Sequence, residues 1–108
     1  MRKISEHKIE GQLIKEVKAH GGLCIKINTT SMTGLPDRLL LLPRGKFAFV
    51  EVKRPGIKPR PIQVKRMNDL KQLGFQCFVL DNLKQIEPII EEVTADEVYP
   101  LSLSNSDD

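Results

Sequence analysis

The 108-residue sequence has no tryptophan, a single tyrosine and four phenylalanines, so it has few flat side chains on which nucleobases could stack. Its two cysteines, Cys24 and Cys77, sit in apolar runs without a close second partner, which argues against a disulfide framework or a zinc site and suits small buried hydrophobes in a reducing compartment. No basic leader followed by an apolar stretch opens the sequence, and no apolar run approaches the roughly 18 residues of a membrane span. A cytoplasmic location is therefore expected. There is no internal repeat and no linker. Residues 1–93 read as one domain, followed by a tail, residues 94–108, that lacks Lys and Arg and ends in the polar "SLSNSDD". Setting aside the tail's four negative charges raises the balance from +3 to +7, a basic surface suited to a polyanion.

What is present alternates between helical and strand periods. "SEHKIEGQLIKEVKAHGG" places Ile9, Leu13, Ile14 and Val17 on one helical stripe, with Ser5 as N-cap and a Gly pair as stop. "LCIKINTT" alternates as a half-covered strand, and "RLLLLP" and "FAFVEVK" flank the tight turn "RGK" as an antiparallel pair. After the stiff "RPGIKPRPIQ", Pro61 opens a helix that Gly74 ends; "FQCFVLD" then reads as a strand buried on both faces and parallel to residues 47–53. "NLKQIEPIIEEV" is a last helix, capped at Asp81 or Asn82 and restarted near Pro88. The order α-β-β-β-α-β-α predicts an α/β fold, a mixed sheet flanked by helices.

Several charges do not belong in this pattern. Phe47, Phe49, Glu51 and Lys53 share one face of their strand, so Glu51 and Lys53 emerge side by side. An isolated "EVK" would be an ion pair where a strand meets solvent. Counting outward from the turn, however, brings Asp37 level with residues 51 to 53, so that two carboxylates and an ammonium converge. Carboxylates a few Å apart repel unless a cation lies between them, and hard oxygens of this kind, with the Val52 backbone carbonyl as a third ligand, suit Mg²⁺ or Mn²⁺. Glu10 falls inside the apolar stripe of the first helix; it either snorkels at the stripe's edge or supports the same site, directly on a second ion or through a metal-bound water. Gln63, in the first turn after the prolines, can aim its amide at the same carboxylates. Arg54, Lys58, Arg60, Lys65 and Arg66 cluster beyond the strand, with Arg38 and Arg44 beside its neighbour, as candidate phosphate contacts or simply a solvated face.

"GLPD" at 34–37, a spacer, then "EVK" at 51–53 resembles the PD-(D/E)xK nuclease signature in its literal form. Together with Glu10 in the preceding helix, the apolar strand between the acids, Gln63 opening the next helix and "KRMNDLKQLGFQCFVLDN", the set is similar to the VRR-NUC family, the virus-type replication and repair nucleases, over roughly residues 5 to 82. The resemblance implies a restriction-endonuclease-like core and Mg²⁺- or Mn²⁺-dependent hydrolysis of DNA, with Asp37, Glu51 and the Val52 carbonyl as metal ligands, Lys53 as catalytic lysine, and Glu10 and Gln63 as supporting residues. Stand-alone phage and bacterial members look like homodimers acting on branched DNA such as Holliday junctions, and the absence of further domains here favours that kind; if phage-encoded, the protein is expected in the cytoplasm of the bacterial host. The three prolines before Gln63 depart from the pattern and stiffen its approach. The alternatives are a basic DNA-binding or assembly module without catalysis, and a restriction-type nuclease acting on other DNA or on RNA. For the dimer surface the sequence offers the isoleucine-rich last helix and "VYPLSL", each of a kind more often used in internal packing.

Overall fold

Ser5 accepts the Lys8 N–H through its hydroxyl and starts α1 (Glu6–Ala19), the amphipathic helix expected there. The computed structural model describes residues 4–96, so the readings placed on "VYPLSL" and most of the tail lie outside it. The elements that follow are β1 (Leu23–Lys26), β2 (Arg38–Leu42), β3 (Lys46–Val52), α2 (Pro61–Gln72), β4 (Cys77–Leu80) and α3 (Ile86–Thr94). They form one four-stranded sheet in the order β1-β2-β3-β4, antiparallel from β1 to β3, with β4 parallel to β3 after the α2 crossover. This is the mixed α/β architecture read from the sequence.

Residue alternation divides the sheet into two unlike faces. Leu40, Leu42, Ala48, Val50, Val52 and Leu80 pack beneath Ile9, Leu13 and Val17 of α1 and the four apolar residues Ile86, Ile89, Ile90 and Val93 of α3. Each such large side chain contributes ~1.5–3 kcal/mol by leaving water, which makes this the main core. The isoleucine-rich face of α3 is thereby used inside the chain. Pro88 falls in its first turn, after a 3-10 turn over Leu83–Gln85 that Asn82 caps.

The second face is covered only in part, by α2. Phe75 packs on Phe47 and Phe49 with ring centroids 5.7 and 6.0 Å away, but Leu23, Ile25 and Leu41 remain open. Two expectations change here. β4 is an edge strand, with nothing pairing beyond it among the described residues, and Val79 on it is exposed. Ile14 likewise faces solvent, one position off the stripe that α1 turns to the sheet. Cys24 and Cys77 are both free thiols whose pKa burial pushes up, as befits inert packing residues. Among the described residues no helix is long and apolar enough to cross a membrane.

Candidate active site

The β2–β3 register pairs Arg38 with Val50, so Asp37 and Glu51 lie one step further out on adjacent strands. The turn between them fixes this alignment: Pro43–Gly45 form a single 3-10 turn in which Arg44 and Gly45 take φ of 65° and 72°. Asp37 is held from both sides of its peptide. Its carbonyl accepts the Ile27 N–H at 2.8 Å, and its Oδ1 accepts the Val52 N–H at 3.0 Å. Before it, Pro36 is fully buried and Gly34 presses against the start of α2; a Cβ on Gly34 would lie 2.6 Å from the Ile62 carbonyl oxygen, at a φ of +85°. The glycine of "GLPD" therefore has a definite task, to let the Asp37 loop dock on the helical turn that carries Gln63. The bare sequence showed this glycine but not its partner.

Glu51 is 3% exposed, and its burial is intelligible only through its contacts. Its Oε2 accepts from Gln63 Nε2 at 2.9 Å and lies 3.2 Å from Lys53 Nζ. Its Oε1 is buried with no hydrogen-bond partner among the described residues. Gln63 accepts the Arg60 N–H at 2.8 Å through its own Oε1, so the proline-rich connection aims its amide at Glu51. Burial pushes the Asp37 carboxyl up to about 6, against the Val52 hydrogen bond; the neighbouring Glu51 and Glu10 charges add to the rise. The Val52 N–H faces Asp37 while the Lys53 N–H goes to Leu80 of β4, and on an extended strand a residue's carbonyl shares the edge of its N–H. Among the described residues no three His, Cys, Asp or Glu side chains gather into a metal cage. A cation here would rest on two carboxylates, backbone and water, a hard-oxygen set of the kind that holds Mg²⁺ or Mn²⁺.

Glu10 reaches the same end of the sheet, where Arg38 grips its Oε2 from Nε at 2.9 Å and from a terminal nitrogen at 2.8 Å. Arg38, read from sequence as a candidate DNA contact, is turned inward by this pair, its side chain only 12% exposed. Two further basic residues differ from that reading. Arg66 ties the Thr33 carbonyl and Asp69 to its guanidinium, so it braces the Asp37 loop, and Arg44 sits on the turn at the opposite end of the hairpin, roughly 20 Å from Asp37 by strand rise. Lys65 is exposed near Asp69. Arg54, Lys58 and Arg60 are exposed beyond β3, on the side of the site.

Comparison with known proteins defines the class and then the family. A solved structure described as a VRR_NUC domain superposes with a TM-score of 0.74 at 33% identity, covering 80% of this chain and 94% of that one. The chain is also 45% identical over 92 residues, 83% of its length and 99% of the relative's, to "Putative nuclease p44" of Acyrthosiphon pisum secondary endosymbiont phage 1. No family model matches. The fold is thus that of the restriction-endonuclease-like nucleases, as the sequence implied. The chain belongs to the VRR-NUC family, in its phage type.

Proposed function

We propose that this chain is a Mg²⁺- or Mn²⁺-dependent endonuclease that hydrolyses phosphodiester bonds in branched DNA such as Holliday junctions, acting as a homodimer. The observation that carries the reading is Glu51, a buried carboxylate with one oxygen unpartnered among the described residues, whose charge adds to the rise that burial causes in the Asp37 pKa. Two like charges in a partly dry site, one of them incompletely paired, favour a cation between them. Asp37, Glu51 and the Val52 carbonyl would hold it. When bound, such a cation acidifies a water and neutralises charge growing on the phosphate.

The chain's own residues supply the rest. Lys53, 3.2 Å from Glu51 Oε2, stands beside the paired carboxylates, where its amino group can hold a phosphate oxygen or orient the attacking water. Hydrolysis then joins the water oxygen to phosphorus as one P–O bond to sugar breaks; the water gives up a proton, and the departing oxygen takes one. Gln63 keeps Glu51 in place, and the Glu10–Arg38 pair buttresses the end of the sheet. Arg54, Lys58 and Arg60 lie where they can grip the phosphodiester backbone without reading bases. Branched substrates with two-fold symmetry need two cuts, and the open apolar strip of Leu23, Ile25 and Leu41 is a surface that a second copy would cover.

A panel of junction, flap, linear duplex and RNA substrates, each with Mg²⁺ and Mn²⁺, tests the assignment. Junctions are expected to be cut best, with the protein sedimenting as a dimer. Asp37→Ala and Lys53→Ala should each lower cleavage by a factor on the order of a thousand while DNA binding persists. Full metal-dependent activity in either variant would overturn the assignment.

A further inference from the structure

The two oxygens of Glu51 are treated unequally. Oε2 accepts the Gln63 amide at 2.9 Å and lies 3.2 Å from the Lys53 ammonium, whereas Oε1 is buried and accepts from nothing among the described residues. The Gln63 amide cannot be turned round to even this out. Its own oxygen accepts from the Arg60 backbone N–H at 2.8 Å, a group that can only donate, so a single orientation of the amide serves this end and turns its NH₂ to Glu51. That backbone N–H is in turn held firmly. Arg60 is the N-cap of α2 and precedes Pro61, whose ring fixes the first helical position, and Gln63 is 7% exposed in the following turn. Asp37 shows the same asymmetry, with Oδ1 committed to the Val52 N–H.

We infer that Gln63 is a positioning residue that occupies Glu51 Oε2, so that Glu51 meets a cation through Oε1 alone, and that this makes the site select a small octahedral cation over Ca²⁺. The inference rests on the metal-dependent reading above and deepens it. One oxygen from each carboxylate, completed by water, suits Mg²⁺ or Mn²⁺, which hold about six ligands at short distances. Ca²⁺ takes six to eight oxygens and commonly chelates both oxygens of a carboxylate, which here would bring the cation onto the oxygen that already holds the Gln63 amide and faces the Lys53 ammonium. Discrimination arises from a hydrogen bond next to the ligand rather than from the ligand itself.

The test uses the full chain and three measurements. Mn²⁺ binding is followed by electron paramagnetic resonance, Ca²⁺ by competition against Mn²⁺, and the carboxylate stretches by metal-induced infrared difference spectra, in the wild type and in Gln63→Met, which keeps the side chain's length without its hydrogen bonds. The wild type is expected to bind Mn²⁺ more tightly than Ca²⁺, with the wide separation of antisymmetric and symmetric stretches that marks one-oxygen binding. Gln63→Met should lose roughly tenfold or more in Mn²⁺ affinity, lose less for Ca²⁺, and shift to the narrow separation of a chelating carboxylate. A general loosening of the fold would weaken both ions alike, so an unchanged Ca²⁺ to Mn²⁺ affinity ratio, or a chelate signature already in the wild type, overturns the inference and leaves the nuclease reading intact. Failure of the wild type to bind either ion would instead remove the metal-dependent reading on which it rests.

Discussion

On one face of the sheet Val50 is fully buried beneath α1 and α3; on the other, a single residue along β3, Glu51 is 3% exposed beneath α2. Their exposures are nearly equal and their energetics are opposite. Val50 is stabilised by leaving water, in proportion to the area removed. Glu51 is destabilised by the same transfer, and the loss is offset by Gln63, Lys53 and, on our reading, a bound cation. The first face therefore sets the fold and tolerates no cavity, while the second is held in a costly arrangement that the first makes affordable.

Paired substitutions probe this contrast, and the largest effect is expected on the core face. Leu40→Ala, beneath α1 and α3, should destabilise by about 2–5 kcal/mol, the usual cost of truncating a fully buried leucine. Glu51→Gln should change stability by no more than about 1 kcal/mol, since it removes a buried charge and its repulsion with Asp37 while keeping an acceptor for Gln63. Urea denaturation in EDTA measures both. If Glu51→Gln proved as damaging as Leu40→Ala, the charge would be a structural necessity, and the division between the faces would fail.

The core face was legible in the sequence because it follows period alone: Leu40, Ala48, Val50 and Val52 alternate, and Ile9, Leu13 and Val17 repeat at helical spacing. The meeting of Asp37 with Glu51 was legible too, since the short turn after Leu42 leaves little freedom of register. What escaped were contacts between residues far apart in sequence whose local context suggested something else. Arg38 sits beside Asp37 and reads as surface charge; only the approach of α1, 28 residues earlier, shows that Glu10 claims it. Arg66 reads as one more basic residue of an exposed helix until the Thr33 carbonyl comes within reach. The prolines before Gln63 looked like an obstacle and turn out to aim it, because the Arg60 N–H they hold is the donor its amide needs. β4 misled by composition: an apolar run suggested cover on both sides, and the number of strands beyond it cannot be read from its own residues.

A smaller effect is expected from pH, and it separates Asp37 from every residue of the core face. In the unfolded chain its carboxyl titrates near 3.8 and in the metal-free fold near 6, so the native state binds the proton more tightly. Stability from this group is full below pH 3.8 and is lost as the pH rises through 6. Because Asp37 is partly exposed, solvent screening reduces the penalty at pH 7 to about 1 kcal/mol. Asp37→Asn should therefore stabilise the metal-free protein by that amount at pH 7 and have little effect near pH 3.5, while Leu40→Ala costs the same at both. Denaturation curves in EDTA at the two pH values check this; an Asp37→Asn variant less stable than wild type at pH 7 would show that burial does not burden this carboxylate.

The smallest effect compares the two ends of the β2–β3 hairpin. Arg54 leaves β3 next to Lys53 and lines a cleft of about 690 Å³ with Ser5 and His7 of the α1 start, whereas Arg44 sits on the far turn within 3.5 Å of Asp96. Each phosphate contact releases about one counterion, so losing one weakens binding roughly fivefold near physiological salt and lowers the slope of log affinity against log salt by about one. Arg54→Gln should show both changes in a fluorescence-anisotropy titration of junction DNA, and Arg44→Gln neither. Equal losses at both positions would mean that DNA runs the full length of the hairpin, about 20 Å, and that the basic residues on the site side hold no special place. Loss at Arg54 alone would restrict the contact to the end of the sheet where Asp37, Glu51 and Lys53 meet, as a backbone-gripping nuclease requires.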